Sequence, residues 1–421
     1  MPPFPGRPAA LPLSAIPARL LDLTRLVSRV GHPVLTGVDR VEHAYMTRLL
    51  TGDVPLFGLV ATSAGQALLD REGVAALARR LAGTEPWGKP DLIARLSRSL
   101  TEARRAAEAD VRRLAVAHGI APRLGSVLRR YLPPGTSYLN TGHSNLSDAA
   151  FRGLRAVPGL RIAVLIHDTI PLDYPQFTRP GIAEVFAAKL RRVSVRADLV
   201  IYNSGQSQRD AERHFSGWGR VPDGLVAHLG VDLPCGDTSA GALPDRPYFV
   251  SLGTIEPRKN HTLLLDIWDR FRARLPAAAI PGLQIVGARG WMNAAVFARL
   301  DALPPDSPVR ERGAIPDAAL VPLLRGAAGL LSPSLAEGFG LPLVEAAGLG
   351  VPILCNTLAV YREFLGDYPV YANVSDSYLW EKQLLLLAGK QKTVRQMGGV
   401  TGKTLALPSW NGHFNLVLSR A

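Results

Sequence analysis

The chain has 421 residues, 47% of them hydrophobic and 20% charged, a globular composition too long for one ordinary core. No apolar stretch reaches the roughly 20 residues of a membrane helix; the proline-punctuated start, MPPFPGRPAALPLSAIPARLLDL, argues against a secretory leader, and two cysteines, Cys235 and Cys355, against a disulfide framework or cysteine metal site, so a cytosolic protein is expected. The net charge of +13 is lopsided, with 30 Lys and Arg against 19 Asp and Glu in residues 1–230, but 18 against 16 in residues 231–421.

The basic excess is mostly arginine, in pairs such as Arg104/Arg105, Arg112/Arg113, Arg129/Arg130 and Arg191/Arg192. It reads as solvated helix faces, or as a surface for anionic lipid or a lipid-diphosphate substrate at the inner membrane face. Nucleic-acid binding would rest on charge alone, because no aromatic-basic stacking pattern accompanies it.

In chain order, residues 70–130 read as mostly helical, a helical insertion or extra helical layer. SYLN then reads as a strand followed by NTGHSN (140–145), which carries His143. RIAVLIHD (161–168) and ADLVIYNS (197–204) read as buried strands, and LGVDLPCGDTSAGALPDRP (229–247) as a linker. Beyond it, YFVSLGT (248–254), LQIVG (283–287), AAGLLSPS (327–334), VPILCN (351–356) and YPVYANV (368–374) alternate with helical stretches such as HTLLLDIWDRFRARL (261–275). This alternation predicts an α/β protein with two doubly wound, Rossmann-like domains built on parallel sheets. The first domain spans 1–232, a linker 233–246 and the second domain 247–405; a last helix, 406–421, crosses back. Ligands in such folds bind at the carboxyl ends of the strands, here in the cleft between the domains.

At one such edge stands SLAEGFGLPLVEAAGLGVP (334–352). Gly338, Gly340 and Pro342 rule out one continuous helix; Pro342 instead suits a first helical turn, where its missing N–H costs nothing. The loop then holds Glu337, the new helix holds Glu345, and free backbone N–H groups between them form an anion site. Each acid can accept hydrogen bonds from sugar hydroxyls. Alone, the pair would read as a capping carboxylate and a surface glutamate.

GTIEPRKN (253–260) also joins a strand to a helix. Arg258 can grip two phosphate oxygens and Lys259 adds a compact charge, together suiting a diphosphate leaving group without a metal. The plain alternative is an exposed basic turn. His167 ends a strand at the cleft, where it either satisfies backbone carbonyls or meets a ligand; Asp168 orients backbone or the imidazole. His143 is a weaker candidate on the acceptor side.

GTIEPRKNHTLLL followed by SLAEGFGLPLVEAAGLGVPIL resembles retaining glycosyltransferase family 4, of the glycosyltransferase-B fold, and specifically its polysaccharide mannosyltransferases. TGVDRVEHAY (36–45) resembles the family's N-terminal glycine loop, HDTIPLDYP (167–175) its strand-end histidine segment, and NSGQSQRD (203–210) the serine turn that follows the next strand. SWNGHFNLVL (409–418) resembles the closing Trp-bearing helix, while no segment of the family is recognised within residues 50–130. Thr254 stands where the family often has arginine, which leaves more of the diphosphate to Arg258 and Lys259.

The resemblance implies a retaining, metal-free transfer from a nucleotide diphosphate sugar, with GDP-mannose favoured by EPRKN. It places Glu337 on the sugar hydroxyls and Glu345 on the ribose. Gly253, Arg258, Lys259 and the Gly338-Phe339-Gly340-Leu341 backbone would meet diphosphate or sugar; Gly37 would approach the diphosphate, and His167 the anomeric carbon. No nucleophile is evident beneath the sugar, so front-face substitution is expected, with a covalent carboxylate intermediate as the other option. The acceptor would be a saccharide or a lipid-linked oligosaccharide bound by the first domain. An epimerase or hydrolase on the same fold and a non-catalytic nucleotide-sugar-binding module are the rival readings.

Overall fold

The computed structural model describes residues 16–32, 36–97, 99–233, 246–396 and 405–421. Among these, the chain forms two sheets, each covered by helices, and the two face each other across a cleft as the strand–helix alternation implied. The first sheet comprises β1 (Arg19–Asp22), β2 (Leu56–Thr62), β3 (Gly65–Leu69), β4 (Ala117–Gly119), β5 (Ser137–Asn140), β6 (Arg161–Ile166), β7 (Leu199–Tyr202) and β8 (Asp223–Val226), in the order β4-β3-β2-β1-β5-β6-β7-β8. The second comprises β9 (Tyr248–Leu252), β10 (Gly282–Val286), β11 (Val309–Gly313), β12 (Gly329–Ser332), β13 (Ile353–Cys355) and β14 (Val370–Tyr371), in the order β11-β10-β9-β12-β13-β14.

Every pairing in the second sheet is parallel. Its middle strands are buried on both faces, which is why YFVSL and GLLS read as unbroken apolar runs rather than alternating ones. The edge strand β11, VRERG, alternates buried and exposed positions, and its charged residues hide it from an apolar-run search.

Residues 70–130 are mostly helical, as expected, and also contribute to the first sheet: β4 lies among them and pairs antiparallel with β3, which in turn runs antiparallel to β2. Helices Arg71–Leu81 and Glu102–Leu114 pack on each other over this edge. Several of the paired arginines are occupied here: Arg104 binds buried Glu108 at 3.2 Å, Arg112 binds Asp91 at 2.6 Å, and Arg113 binds Asp110 at 2.6 Å. Arg104 and Arg113 brace their own helix, while Arg112 ties it to the start of helix Leu92–Leu96.

Most of the expected linker, residues 234–245 with Cys235, lies outside the described residues. The two crossings between domains run side by side, with Val231 N donating to Pro408 O at 3.0 Å. Gly230 makes this possible, since a Cβ there would come within 2.2 Å of Trp410 N. The following helix, Trp410–Leu418, packs on the first domain, where His413 Nε2 lies 2.8 Å from Tyr45 Oη.

Candidate active site

At the carboxyl edge of the second sheet, β9 runs into a short turn, Pro257–Lys259, and then helix His261–Arg274. Asn260, in the left-handed conformation at φ 53°, separates turn from helix. β12 runs into the 333–340 loop and helix Leu341–Gly348, whose start is set by Gly340 at φ 92° and by Pro342 in its first turn. The loop is pinned from below: Leu335 N donates to Arg258 O at 2.7 Å, and Asn356 Nδ2 donates to Ser334 O at 2.8 Å.

These two turns bring Glu337, Arg258 and Lys259 together. Arg258 Nη1 donates to Glu337 Oε2 at 2.7 Å and Lys259 Nζ to Glu337 Oε1, while Arg258 Nε pairs with buried Glu256 at 2.6 Å. Burial alone would raise the Glu337 carboxyl, but the two cations beside it bring it down to about 2, so it stays ionised. Burial lowers Lys259 and Glu337 works against it; Arg258, pressed down by burial, is raised by its carboxylate partners. An ionised carboxylate and two convergent cations therefore share a space one small molecule could span. Gly253, at φ 136°, leaves room for this, since a Cβ would sit 3.2 Å from Lys259 Cε.

The first-domain side presents neutral histidines. His167, at the end of β6, is 6% exposed, and burial takes it down to about 4. Its Nε2 lies 2.7 Å from Thr141 O, and because a carbonyl only accepts, Nε2 carries the proton and Nδ1 is left as an acceptor. His143 is held likewise, Nε2 to Leu165 O at 2.9 Å, with its ring centroid 5.2 Å from that of His167. Asp168 Oδ1 accepts from Ile170 N at 3.0 Å, so it orients backbone, one of the two roles read from the sequence.

Gly338 is where the domains meet. A Cβ there would come within 2.4 Å of His167 O and 2.8 Å of Asp168 Cβ. Its carbonyl accepts from Ser204 and Ser207, each at 3.3 Å, in the serine turn that starts helix Gly205–Gly217. Glu363 of the second domain caps that helix, accepting from Gly205 N at 2.7 Å and from His228 Nε2 at 3.0 Å. At another point of the cleft, Trp291 Nε1 donates to Phe177 O at 2.9 Å.

The residues expected to bind are thus mostly together, with three differences of detail. Gly37 lies not in a loop but at the first position of helix Gly37–Leu50, where its Cα faces the Leu341 side chain. Phe339 is 5% exposed, its ring packed 4.0 Å from that of Phe364, which leaves its backbone as its contribution. Glu345, 3% exposed, faces Arg40 of the first domain rather than open space, with Nη1 and Oε1 2.6 Å apart in an ion pair outside hydrogen-bond alignment. Sequence reasoning missed Arg40, Glu256, Trp291 and Glu363 as site or closure residues. The first two lie inside stretches already singled out, TGVDRVEHAY and GTIEPRKN.

Known proteins place this geometry. The family profile described as family 4 glycosyltransferases in conflict systems matches residues 63–383. Serotype-specific mannosyltransferase WbdA of Escherichia coli is 29% identical over 226 residues, covering 49% of this chain and 27% of that protein. O-antigen chain mannosyltransferase B of Escherichia coli is 33% identical over 133 residues, 31% of this chain and 33% of that one. The chain thus spans about a quarter to a third of these curated relatives' lengths. Among solved structures, the α,α-trehalose 6-phosphate synthase of Burkholderia multivorans superposes with a TM-score of 0.52 at 12% identity, covering 91% of this chain and 95% of that one. An Escherichia coli structure titled as trehalose-6-phosphate bound with UDP-2-fluoro glucose gives the same score and identity over 89% and 91%. With a family profile covering most of its length and two facing Rossmann-like domains, the chain belongs to the family 4 glycosyltransferases and has the glycosyltransferase-B fold.

Proposed function

We propose that this glycosyltransferase moves a hexose, with retention and without a metal, from a nucleotide diphosphate sugar to a hydroxyl of a saccharide or lipid-linked acceptor. Mannose is the favoured sugar and GDP-mannose the favoured donor, in surface polysaccharide or glycolipid synthesis at the cytoplasmic membrane face. The observation that carries the reading is Glu337 held between Arg258 and Lys259 at the strand edge. The names of the mannosyltransferase relatives support the sugar and the pathway class.

In this mechanism Arg258 and Lys259 turn from Glu337 to the incoming diphosphate, and Glu337 is freed to accept from sugar hydroxyls. His167 Nδ1, neutral and fixed by the bond from Nε2 to Thr141 O, accepts a further sugar hydroxyl. As the bond from the anomeric carbon to phosphate breaks, the two cations take up the charge developing on the leaving oxygen. The acceptor oxygen bonds to the same face of that carbon, and its proton passes to the departing phosphate oxygen. The protein's share is positioning and fixed charge, which need no reorganisation at the moment of reaction.

A thermal-shift screen across GDP-, UDP-, ADP- and dTDP-sugars tests the donor. A true donor at 100 times its Kd stabilises the folded chain by about 2.7 kcal/mol, and GDP-mannose is expected to give the largest shift. No shift with any of them overturns the reading. Incubating the stabilising donor alone separates transferase from hydrolase or epimerase, since only the last two consume it without acceptor.

A further inference from the structure

Helix Gly37–Leu50 begins against helix Leu341–Gly348 of the other domain, and the two match residue for residue. Gly37 and Arg40 are three apart and share one face of the first helix; Leu341 and Glu345 are four apart and share one face of the second. A Cβ on Gly37 would stand 3.3 Å from Leu341 Cδ1, and one turn further along Arg40 Nη1 lies 2.6 Å from Glu345 Oε1. The glycine lets the helices close, and the closure carries the arginine to the acid.

The first helix start is itself rigid. Asp39, fully buried, accepts from Thr36 N and Oγ1, both at 2.7 Å, and pairs with Arg25 at 2.6 Å and Arg29 at 3.3 Å. Asp39 is thereby committed within its own domain, while its neighbour Arg40 points across the cleft. Arg40 also borders a cavity of about 500 Å³ that His43, Thr47, Leu341 and Trp410 help to line, so its guanidinium has space beside the acid. Burial raises the Glu345 carboxyl, the Asp317 charge adds to this, and Arg40 works against both.

We propose that Arg40 is a donor-positioning residue: it reaches over from the first domain to hold and aim Glu345, so that the acid can take the nucleotide's ribose hydroxyls only when the domains are closed. The proposal rests on the donor-site reading above, and it ties ribose recognition to closure. Arg40 acts through Glu345, and its loss therefore weakens binding through the ribose and not through the diphosphate.

The test is calorimetric binding of GDP and of 2′,3′-dideoxy-GDP to the full chain and to Arg40→Ala, Arg40→Lys, Glu345→Gln and the Arg40→Ala/Glu345→Gln pair. Arg40→Ala is expected to weaken GDP about tenfold, the size of one lost hydrogen bond to a charged group, and to leave dideoxy-GDP within about twofold. Arg40→Lys recovers part of the loss, and the double variant binds no worse than Glu345→Gln alone. Equal losses for both nucleotides in Arg40→Ala would mark a merely structural role and overturn the proposal. If Glu345→Gln weakens GDP more than dideoxy-GDP but Arg40→Ala does not, the proposal falls and the donor site stands. If Glu345→Gln itself does not weaken GDP more than dideoxy-GDP, the donor-site reading fails and takes the proposal with it.

Discussion

The two lips of the cleft solve opposite problems. On the second-domain lip, Arg258 and Lys259 both converge within hydrogen-bonding distance of Glu337 on turns jointed by glycine and proline. On the first-domain lip, buried His167 and half-buried His143 are neutral and tied to backbone carbonyls. Charge is concentrated where a diphosphate would leave, and uncharged hydrogen bonding where hydroxyls would be oriented. The Asp168 carboxyl on the first-domain lip is engaged with the backbone at Ile170 N, within electrostatic reach of Arg258 and Glu337.

The contrast is broken most severely from the charged lip. Lys259→Ala and Glu337→Ala are each expected to lower transfer by about 10²–10³-fold, the loss typical of removing one fixed charge-stabilising group, while circular dichroism shows a folded chain. Near-normal turnover in either variant would remove the distinction between the lips. On the neutral lip, His167→Ala is expected to cost only about tenfold, one hydrogen bond. Because His167 sits near 4, the activity of the unmodified enzyme should show no histidine titration between pH 6 and 8.

The seam between the lips is sensitive in another way. Gly338→Ala would drive a methyl group to within 2.4 Å of His167 O, costing on the order of 1–3 kcal/mol as overpacking and lowering the unfolding midpoint. Acid sharpens the comparison through stability. Burial holds His167, His261 and His413 near 4, below the ordinary 6.5 of the unfolded chain. Between those values the unfolded chain binds more protons, so stability is full above about 6.5 and falls as pH drops towards 4, by on the order of 1–2 kcal/mol per histidine at pH 5. Glu337 adds a separate loss lower down, from its ordinary 4.5 towards about 2. Buried carboxylates that are held above their ordinary range, Asp22, Glu42, Asp168, Glu256 and Glu345, push stability the other way as pH falls, so the direct check is NMR titration: imidazole signals of these histidines that moved between pH 6 and 8 would contradict the buried neutral rings. The smallest expected effect is that of a chelator: EDTA should change the transfer rate by less than about twofold if the cations replace a metal.

How much of this was legible depended on how local each feature is. The charged lip is written in two strand–turn–helix segments, GTIEPRKN and SLAEGFGLP, where glycine and proline announce the turn and the ionisable residues stand beside them. His167 was found because it ends a six-residue apolar strand. The first-sheet edge was not found: β3 and β4 are short, and the β4 stretch AHG carries no apolar pattern. β1, RLLD, is fully buried but sits in ARLLDLTRLV, which reads equally as helix. The closure contacts were out of reach for a different reason. Arg40–Glu345, Trp291–Phe177 and Glu363–Gly205 join residues more than a hundred positions apart, and no periodicity within either partner foretells the other.

The central claim is that Arg258 and Lys259, beside Glu337, grip the diphosphate of an activated sugar. Its most direct test is titration of the best-stabilising nucleoside diphosphate, and of the matching uncharged nucleoside, into the unmodified chain and the Arg258→Ala/Lys259→Ala variant. The account predicts that the variant loses about 100-fold or more in diphosphate affinity, roughly 2.7 kcal/mol, while the nucleoside binds both proteins alike. Equal diphosphate affinity in the two proteins would contradict it.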